Sequence, residues 1–360
     1  MATDAALRRI TPALKRQVSP DAPFGIGLRL SARDARELLE GDRLAELRAF
    51  LDAEGMYVAI INGFPYGPFS GEPVKTNVYA PDWRTDARVD YTCDLATILS
   101  ALLPDEVAGG ISTVPLSYKA WMPEPDAAGW TQLTANVVRV AERLARIRRE
   151  TGQFIHLDIE PEPDCLLETS DETVDFFQRW LRPAAGPDLA DHVQVCFDCC
   201  HCAVEYEDPM AALAKLHGAG IRIGRVQLSS ALTVAKPEGH ASRLERFADT
   251  TYLHQVVEQC GGTLRRFSDL DVALASPDRS KWCEWRIHFH VPLFASEYEG
   301  LGSSQDVVRA VIAHAKHSGL TQHLEIETYT WNVLPEGLKT EIGASIAREY
   351  AWVLAEWQRA

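Results

Sequence analysis

Residues 154–160 read Phe-Ile-His-Leu-Asp-Ile-Glu and alternate apolar with polar side chains. A period of two is typical of a β-strand, whose successive side chains point to opposite faces. The apolar set, Ile155, Leu157 and Ile159, is predicted to pack on helices. The polar set ends at Glu160, and it is predicted to point into the interior of a barrel.

Seven further apolar runs recur along the chain and alternate with helical patterns. Strands that alternate with helices form a parallel sheet, because each crossover returns the chain to the same edge. Eight strands over 360 residues predict an α/β fold, a (β/α)8 TIM barrel. An open doubly wound sheet is the alternative, although no G-x-G-x-x-G motif follows the first strand. The other predicted strands are Phe24–Leu30, Met56–Asn62, Gly110–Ser117, Val193–Asp198, Ile221–Ser229, Trp285–Leu293 and His323–Thr328.

The domain organisation is predicted to be simple. One TIM-barrel domain is expected over residues 1–360, since no Gly/Ser-rich linker divides the chain. The stretch 231–281 is long for one connection between a strand and a helix, so it is predicted to be an insertion at the barrel mouth. A helix is expected within it near Leu244–Cys260.

The composition limits the possible partners and locations. The 36 Lys and Arg residues against 51 Asp and Glu residues give a formal charge of −15, which disfavours a nucleic-acid-binding surface. No apolar run approaches the roughly 18 residues that span a membrane, and no hydrophobic signal core opens the sequence, so a cytoplasmic protein is expected. The eight cysteines, four of them within Cys196–Cys202, are then expected to be reduced thiols.

The carboxyl ends of the strands are where TIM-barrel active sites lie. One predicted strand ends at Asp198, and His201 follows three residues later. A carboxylate oxygen and an imidazole at one strand end suit a divalent metal ion. The competing interpretation is a zinc site made from Cys199–Cys202, but consecutive residues cannot easily surround one tetrahedral ion.

Two further strands end in polar side chains that allow several roles. Gln227 has three possible roles: a weak metal ligand, a partner for a substrate hydroxyl, or an amide that is hydrogen-bonded within the barrel. Arg225 lies on the same face of that strand and is expected to contact substrate. His288 and His290 also share a face, as metal ligands, acid–base groups or a mutually constrained pair. His290 is assigned to the metal and His288 to the substrate.

The last predicted strand places Glu327 near the mouth, where it faces Glu160 across the barrel. Two carboxylates on either side of a substrate can exchange protons with opposite faces of one carbon. A metal ion between them polarises the adjacent carbonyl and acidifies that carbon–hydrogen bond. Both residues are therefore predicted to be catalytic and to bind the metal, with a structural ion pair as the alternative for Glu160.

Aromatic residues follow two of the strands. One loop contains Asn62, Phe64 and Tyr66, and the other contains Tyr329 and Trp331. Flat aromatic faces stack on sugar rings and on apolar groups alike, so Phe64, Tyr66 and Trp331 are expected to bind substrate. Asn62, in the same loop as Phe64 and Tyr66, is expected to bind substrate with them. The alternative is that they pack the barrel rim.

The polar strand ends resemble those of the xylose-isomerase-like superfamily of metal-dependent TIM barrels, which includes sugar isomerases, ketose 3-epimerases and type IV apurinic endonucleases. The resemblance implies a divalent metal (Mn, Mg, Zn, Fe or Co) and proton transfer by two glutamates. It rests on Glu160, Asp198, His201, Gln227 and Glu327.

Longer strings are similar to the EboE family of metabolite traffic proteins. The resemblance implies the handling of a hydroxylated metabolite precursor destined for export, with ebo-cluster proteins, including a membrane prenyltransferase, as partners. Chains of that family begin with a further strand that this sequence does not show. If that further strand is part of the family's barrel, the barrel here is expected to lack its first strand. Residues 288–294 are then expected to be a segment at the barrel mouth rather than a barrel strand. The strings lie at 62–67, 78–83, 111–118, 156–163, 226–232, 288–294 and 325–331.

These patterns are compatible with three functions. The first is a metal-dependent isomerase or epimerase that acts on a sugar, polyol or related small molecule. The second is a non-catalytic protein that binds a metabolite in the same pocket and hands it on. The third is phosphodiester cleavage of the endonuclease IV type, which the charge of −15 disfavours.

Overall fold

The structure is a computed structural model that describes residues 2–68, 74–277, 282–330, 334 and 341–360. The strands are β1 (Phe24–Arg29), β2 (Met56–Asn62), β3 (Gly109–Thr113), β4 (Ile155–Ile159), β5 (Val193–Asp198), β6 (Ile223–Leu228), β7 (Leu232–Val234), β8 (Val256–Cys260), β9 (Thr263–Phe267), β10 (Glu284–Ile287), β11 (Glu297–Tyr298), β12 (Leu301–Ser303) and β13 (Leu324–Ile326).

The helices mostly lie between these strands and cover the outside of the barrel. They are α1 (Ala2–Val18), α2 (Ala32–Leu38), α3 (Arg43–Ala53), α4 (Asp86–Leu102), α5 (Ala127–Thr151), α6 (Ser170–Phe176), α7 (Arg182–Ala190), α8 (Cys199–Val204), α9 (Pro209–Gly218), α10 (Ala241–Leu244), α11 (Leu270–Leu274), α12 (Gln305–Ser318) and α13 (Ile342–Arg359).

Seven parallel strands form the barrel, in the order β1-β2-β3-β4-β5-β6-β13. The predicted TIM-barrel class is therefore confirmed, with a sheet that is nearly closed. The two edge strands, β1 and β13, line a cleft of about 1050 Å³, which α1 and α13 also line. Gly27, on the interior side of β1, is exposed there.

Charged side chains fill the barrel interior below the mouth. Arg225 is fully buried, and its guanidinium lies 3.2 Å from a carboxylate oxygen of Asp158 and 3.2 Å from one of Glu325. It also donates to the carbonyl oxygen of Ile61. Burial lowers the pKa of Arg225, but the two carboxylates outweigh that effect and raise it overall. These contacts tie together strands β2, β4, β6 and β13.

A second, antiparallel sheet is formed by the strands of order β11-β12-β7-β10-β8-β9. The prediction of Trp285–Leu293 as a barrel strand is wrong, because β10 pairs with β7 and β8 in this second sheet. His288–Leu293 lies beyond the end of β10, which agrees with the alternative that 288–294 is a segment at the barrel mouth. The helix expected near Leu244–Cys260 is also wrong, since Val256–Cys260 forms β8 and pairs with β9.

The cysteines differ in part from the expectation of reduced thiols. Cys260 at the end of β8 and Cys283 before β10 form a disulfide bond. The other six, including all four in Cys196–Cys202, are free.

Glu349 connects α13 to the barrel. Its side chain accepts hydrogen bonds from the Leu293 backbone N–H at 2.9 Å and from the Thr328 hydroxyl at 2.7 Å. Glu349 is 1% exposed, and burial raises its pKa to about 7. The folded protein thus holds the Glu349 proton more tightly than the unfolded chain, so ionisation of this group destabilises the fold.

The variant Glu349→Gln is expected to be more stable than the natural protein at pH 8 and equally stable near pH 4.5. The glutamine oxygen keeps both hydrogen bonds and carries no charge. The gain in the free energy of unfolding grows as the pH rises from about 4.5 to 7 and reaches about 3 kcal/mol. Urea denaturation at several pH values measures it. Glu142→Gln, at an exposed position on α5, is the matched control, and an equal effect in both variants would contradict the prediction.

Candidate active site and metal centre

A pocket of about 530 Å³ opens at the carboxyl ends of the barrel strands. Its wall combines carboxylates and imidazoles with apolar and aromatic side chains such as Phe64, Val78 and Leu253. Several of these carboxylates and imidazoles meet there because parallel strands all end at the same edge, and His288 and His290 reach it from the end of β10. The carboxylates and imidazoles of the wall are Glu160, Glu162, His201, His288, His290 and Glu327.

Three carboxylates converge at this edge. Glu160 follows β4, Asp198 ends β5 and Glu327 follows β13. One oxygen of each lies within 4.8 Å of the others. Glu160 Oε2 and Asp198 Oδ2 are buried and have no hydrogen-bond partner within the described parts of the chain. Buried oxygens that lack a donor are suited to a cation.

Two of the three carboxylates are held in place by one oxygen each. Asp198 Oδ1 caps α8 by accepting from the His201 backbone N–H at 2.8 Å, and it accepts from the Ser229 hydroxyl at 2.8 Å. Glu327 Oε1 lies 3.1 Å from the Arg29 guanidinium and 3.0 Å from the Asn62 amide nitrogen. The other oxygen of Asp198 and of Glu327 can face a ligand.

The tautomers of His201 and His290 follow from their partners. The Nδ1 atom of His201 is 2.8 Å from the carbonyl oxygen of Pro161, and that of His290 is 2.8 Å from the carbonyl oxygen of Glu327. A carbonyl can only accept, so each Nδ1 carries a proton. His290 Nε2 is buried without a partner among the described residues.

A network of side-chain hydrogen bonds also places a proton on Nδ1 of His288. The Gln255 amide nitrogen donates to the Pro163 carbonyl and to the Tyr79 hydroxyl, which fixes the Gln255 oxygen as the acceptor. That oxygen lies 2.7 Å from His288 Nδ1, which must therefore donate. The Tyr79 hydroxyl in turn donates to Glu162 at 2.9 Å.

Two imidazole nitrogens face each other. His201 Nε2 and His288 Nε2 are 3.2 Å apart, and the Tyr329 hydroxyl lies 3.4 Å from the latter. Carbonyl groups that hold Nδ1–H and leave Nε2 free are the usual support of metal-binding histidines.

Burial dominates the acid–base properties of the pocket. It raises the pKa of Glu160 well above its usual value, and Glu327 and Asp198 raise it further. The pKa of Glu327 is also raised by burial, although Arg29 opposes the shift. Burial lowers the pKa of His290 to about 4 and that of His288 well below its usual value. These two histidines are therefore neutral at pH 7.

The donor atoms fit a divalent cation. Besides Glu160, Asp198 and Glu327, three further sets of side chains bring their ligand atoms within 4.8 Å of one another. Oxygen ligands suit Mg²⁺ and Mn²⁺, and imidazole suits Zn²⁺ and Fe²⁺. The three sets are Asp198–His201–His290, Glu162–His201–His288 and Cys200–His288–His290.

The structure brings most of the residues predicted from the sequence to one place. Asn62 and Phe64 line the pocket with the predicted glutamates and histidines. Gln227 is buried beside Asp198, its pairing partner on β5, and both amide atoms lack a hydrogen-bond partner among the described residues. Trp331 lies outside the described residues.

Two residues predicted to bind substrate lie away from the pocket wall. Tyr66 packs against the ring of Tyr91 at 5.2 Å between centroids. Arg225 lies below the mouth in its ion pairs with Asp158 and Glu325. The alternating pattern of β6 correctly predicts that Arg225 points into the barrel. It does not predict how far below the mouth Arg225 lies, because that depth depends on its partners on other strands.

Sequence reasoning did not single out three residues of the site. Arg29 is the last residue of β1, and the strand-end rule applied to that strand would have found it. Glu162 lies two residues beyond Glu160. Gln255 carries no sequence signal of its own, because its network with Tyr79 and His288 forms only in the folded chain. Cys200 was considered only together with its neighbours in Cys199–Cys202, whereas the structure places it beside His288 and His290.

The fold and the site together define a TIM barrel with a candidate metal centre at the carboxyl ends of its strands. Residues 25–254 match the xylose isomerase-like TIM barrel family. The chain belongs to that family.

Solved structures agree with this fold. A xylose isomerase-like TIM barrel protein from Mycobacterium smegmatis in complex with magnesium is 13% identical over 98% of this chain and 89% of its own, with a TM-score of 0.51. The IOLI protein with a bound zinc atom is 12% identical over 93% and 88%, with a TM-score of 0.47. A xylose isomerase domain protein from Alicyclobacillus acidocaldarius is 13% identical over 97% and 93%, with a TM-score of 0.48. At 13% identity the likeness to the M. smegmatis protein shows the fold alone.

Two further findings concern sequence relatives and membrane spans. No curated protein sequence matches the chain. None of the helices that the structure describes is both long and apolar enough to cross a membrane.

The variant Tyr79→Phe is expected to lower the free energy of unfolding by about 1–3 kcal/mol. It removes the hydroxyl that donates to Glu162 and accepts from Gln255, and leaves both groups buried without that partner. Urea denaturation measures the loss. Tyr118→Phe is the matched control, because the Tyr118 ring stacks on Tyr79 at 5.1 Å and its hydroxyl has no hydrogen bond among the described residues. Equal losses in the two variants would show that the network does not contribute.

Proposed function

We propose that this protein is a divalent-metal-dependent isomerase or epimerase that acts on a hydroxylated small molecule of the sugar or polyol class. The observation that carries the proposal is the convergence of Glu160, Asp198 and Glu327 within 4.8 Å in a pocket at the barrel mouth. The M. smegmatis protein of this fold was solved in complex with magnesium, which is consistent with the binding of a divalent cation here.

Each residue has a role in this proposal. Glu160, Asp198 and Glu327 hold the cation, with His201 as a further ligand and Gln227 as a weak ligand or a partner for a substrate hydroxyl. A bound divalent cation polarises a substrate carbonyl and so acidifies the neighbouring carbon–hydrogen bond. Glu160 and Glu327 exchange the proton with the two faces of that carbon.

The substrate contacts are assigned from the pocket wall. Asn62 and His288 carry hydrogen-bonding groups at the mouth, and Phe64 offers an apolar face for one side of a sugar ring. Arg29 also lines the pocket, and its guanidinium lies 3.1 Å from Glu327 Oε1. The pocket volume of about 530 Å³ suits a small molecule rather than a polymer.

A second candidate is a binding protein of the EboE type that hands a metabolite on without turnover. It is favoured by the ion pair between Arg29 and Glu327, which engages one oxygen of a carboxylate that the catalytic proposal needs. Its ebo-cluster partners remain a prediction from the resemblance, and its cytoplasmic location remains a prediction from the composition of the chain. It differs from the first candidate in that it predicts tight binding with no exchange of substrate hydrogen.

The metal content of the purified protein is the first test. Protein prepared without a tag or chelator is expected to contain a stoichiometric divalent metal by elemental analysis, and Glu160→Gln is expected to lower the affinity about 100-fold. Glu349→Gln removes a buried carboxylate outside the pocket and is expected to keep the metal. A natural protein that binds no divalent ion even after titration would overturn the metalloenzyme proposal.

Hydrogen exchange with solvent tests the reaction itself. In D₂O, an isomerase or epimerase incorporates deuterium at the carbon from which it removes a proton, and NMR detects this across a panel of ketoses and polyols. Glu327→Gln is expected to slow incorporation about 10²- to 10⁴-fold while circular dichroism stays unchanged. Unchanged incorporation in Glu327→Gln would remove this residue from the catalytic assignment. Tight binding with no incorporation in the natural protein would favour the binding protein.

A further inference from the structure

One group of candidate ligands is chemically different from the others. Cys200 is the second residue of α8, and His288 and His290 follow β10. The Cys200 sulfur and one nitrogen of each imidazole lie within 4.8 Å of one another. All three side chains are buried, with 0%, 4% and 0% exposed. The group contains no carboxylate.

The cysteine does not stand alone in this group. His290 Nε2 is fully buried and has no partner among the described residues, and its Nδ1 proton is held by the Glu327 carbonyl. His288 is fixed in the same tautomer by Gln255. Two imidazoles thus lie next to a thiol with one nitrogen each, a combination of ligand types that a thiophilic metal ion favours.

The position of Cys200 is fixed by the backbone. Its N–H donates to the Ser229 hydroxyl at 2.9 Å, and that hydroxyl donates to Asp198. The start of α8 is therefore anchored to the end of β6 on the pocket side. Neighbouring cysteines are placed differently, since the Cys202 thiol donates to the Glu207 carbonyl at 3.7 Å, and Cys199 is equally buried but belongs to none of the candidate ligand groups.

We propose that Cys200, His288 and His290 form a subsite for a borderline or soft divalent cation such as Zn²⁺, separate from the carboxylate cluster of Glu160, Asp198 and Glu327. This inference rests on the proposed function, because the subsite and the carboxylate cluster would each hold a cation at the barrel mouth. Thiolate and imidazole favour Zn²⁺ or Co²⁺ over Mg²⁺, whereas the carboxylates favour the harder ions. The site therefore distinguishes two cations by ligand softness.

The geometry needs only a small adjustment. Metal–sulfur and metal–nitrogen bonds of about 2.3 and 2.0–2.1 Å place the ligands of a tetrahedral ion about 3.5 Å apart. Atoms already within 4.8 Å of one another reach that spacing by small side-chain rotations. On binding, the Cys200 S–H bond breaks, the proton goes to solvent and the thiolate binds the cation. Three protein ligands leave the fourth position for water or substrate.

Cobalt is the probe, because a thiolate bound to Co²⁺ gives a sulfur-to-metal charge-transfer band in the near ultraviolet and a thiol at a distance does not. Metal-free full-length protein titrated with Co²⁺ alone is expected to develop this band. Cys200→Ser is expected to lose it, and Cys199→Ser, the matched control, is expected to keep it. Competition with Zn²⁺ is expected to show an affinity at least about tenfold weaker in Cys200→Ser.

Separation of the two cation positions is tested with Glu160→Gln. This variant is expected to keep the cobalt–thiolate band and to lose Mn²⁺ binding measured by electron paramagnetic resonance. Cys200→Ser is expected to lose the band and to keep Mn²⁺ binding. A band that survives in Cys200→Ser, or cobalt binding without a band in the natural protein, would overturn the subsite and leave the proposed function standing. Loss of the band in Glu160→Gln would overturn the separation of the two positions. Failure of the natural protein to bind any divalent ion would overturn both.

Discussion

Between β13 and β1 the barrel depends on charged side chains that cross from one strand to another where no backbone ladder is described. At the mouth, Glu327 after β13 accepts from Arg29 on β1 and Asn62 on β2. Below it, Arg225 joins Glu325 on β13 to the Ile61 carbonyl on β2. Removing one partner of such a buried pair leaves an uncompensated charge, which costs about 3–5 kcal/mol. The seven strands hold a barrel shape because these contacts span the opening.

The same charged layer explains why glycines occur in the barrel strands. A Cβ atom on Gly224 would overlap the carboxylate of Asp158, and one on Gly27 would overlap that of Glu325. Any larger residue at these positions would displace the carboxylates that pair with Arg225. The interior is thus filled by ion pairs where TIM barrels usually pack branched apolar side chains, and the metal-ligand candidates lie directly above this layer.

The sequence predicted the polar ends of the barrel strands because a period of two is a local property of the chain. Glu160, Asp198 and Glu327 were found in this way, and they meet because parallel strands end at one edge. The partners of a strand are not local. β10 carries the alternation of a barrel strand but pairs antiparallel with β7 and β8, and Val256–Cys260 pairs with β9 although its surroundings suggested a helix. His288 and His290 nevertheless reach the pocket, because they lie just beyond the end of β10.

The pocket is rich in hydrogen-bond acceptors and poor in donors. The Nδ1–H groups of His201 and His290 are committed to backbone carbonyls and that of His288 to Gln255, so none of the three can serve the carboxylates. Arg29 engages only one oxygen of Glu327, and Glu160 Oε2 faces the same space without a partner among the described residues. Protons can neutralise some of these groups, and the raised pKa of Glu160 reflects that route. A divalent cation satisfies carboxylate oxygens and imidazole nitrogens together, and for that reason the arrangement of acceptors is a stronger argument for metal binding than the presence of any single ligand type.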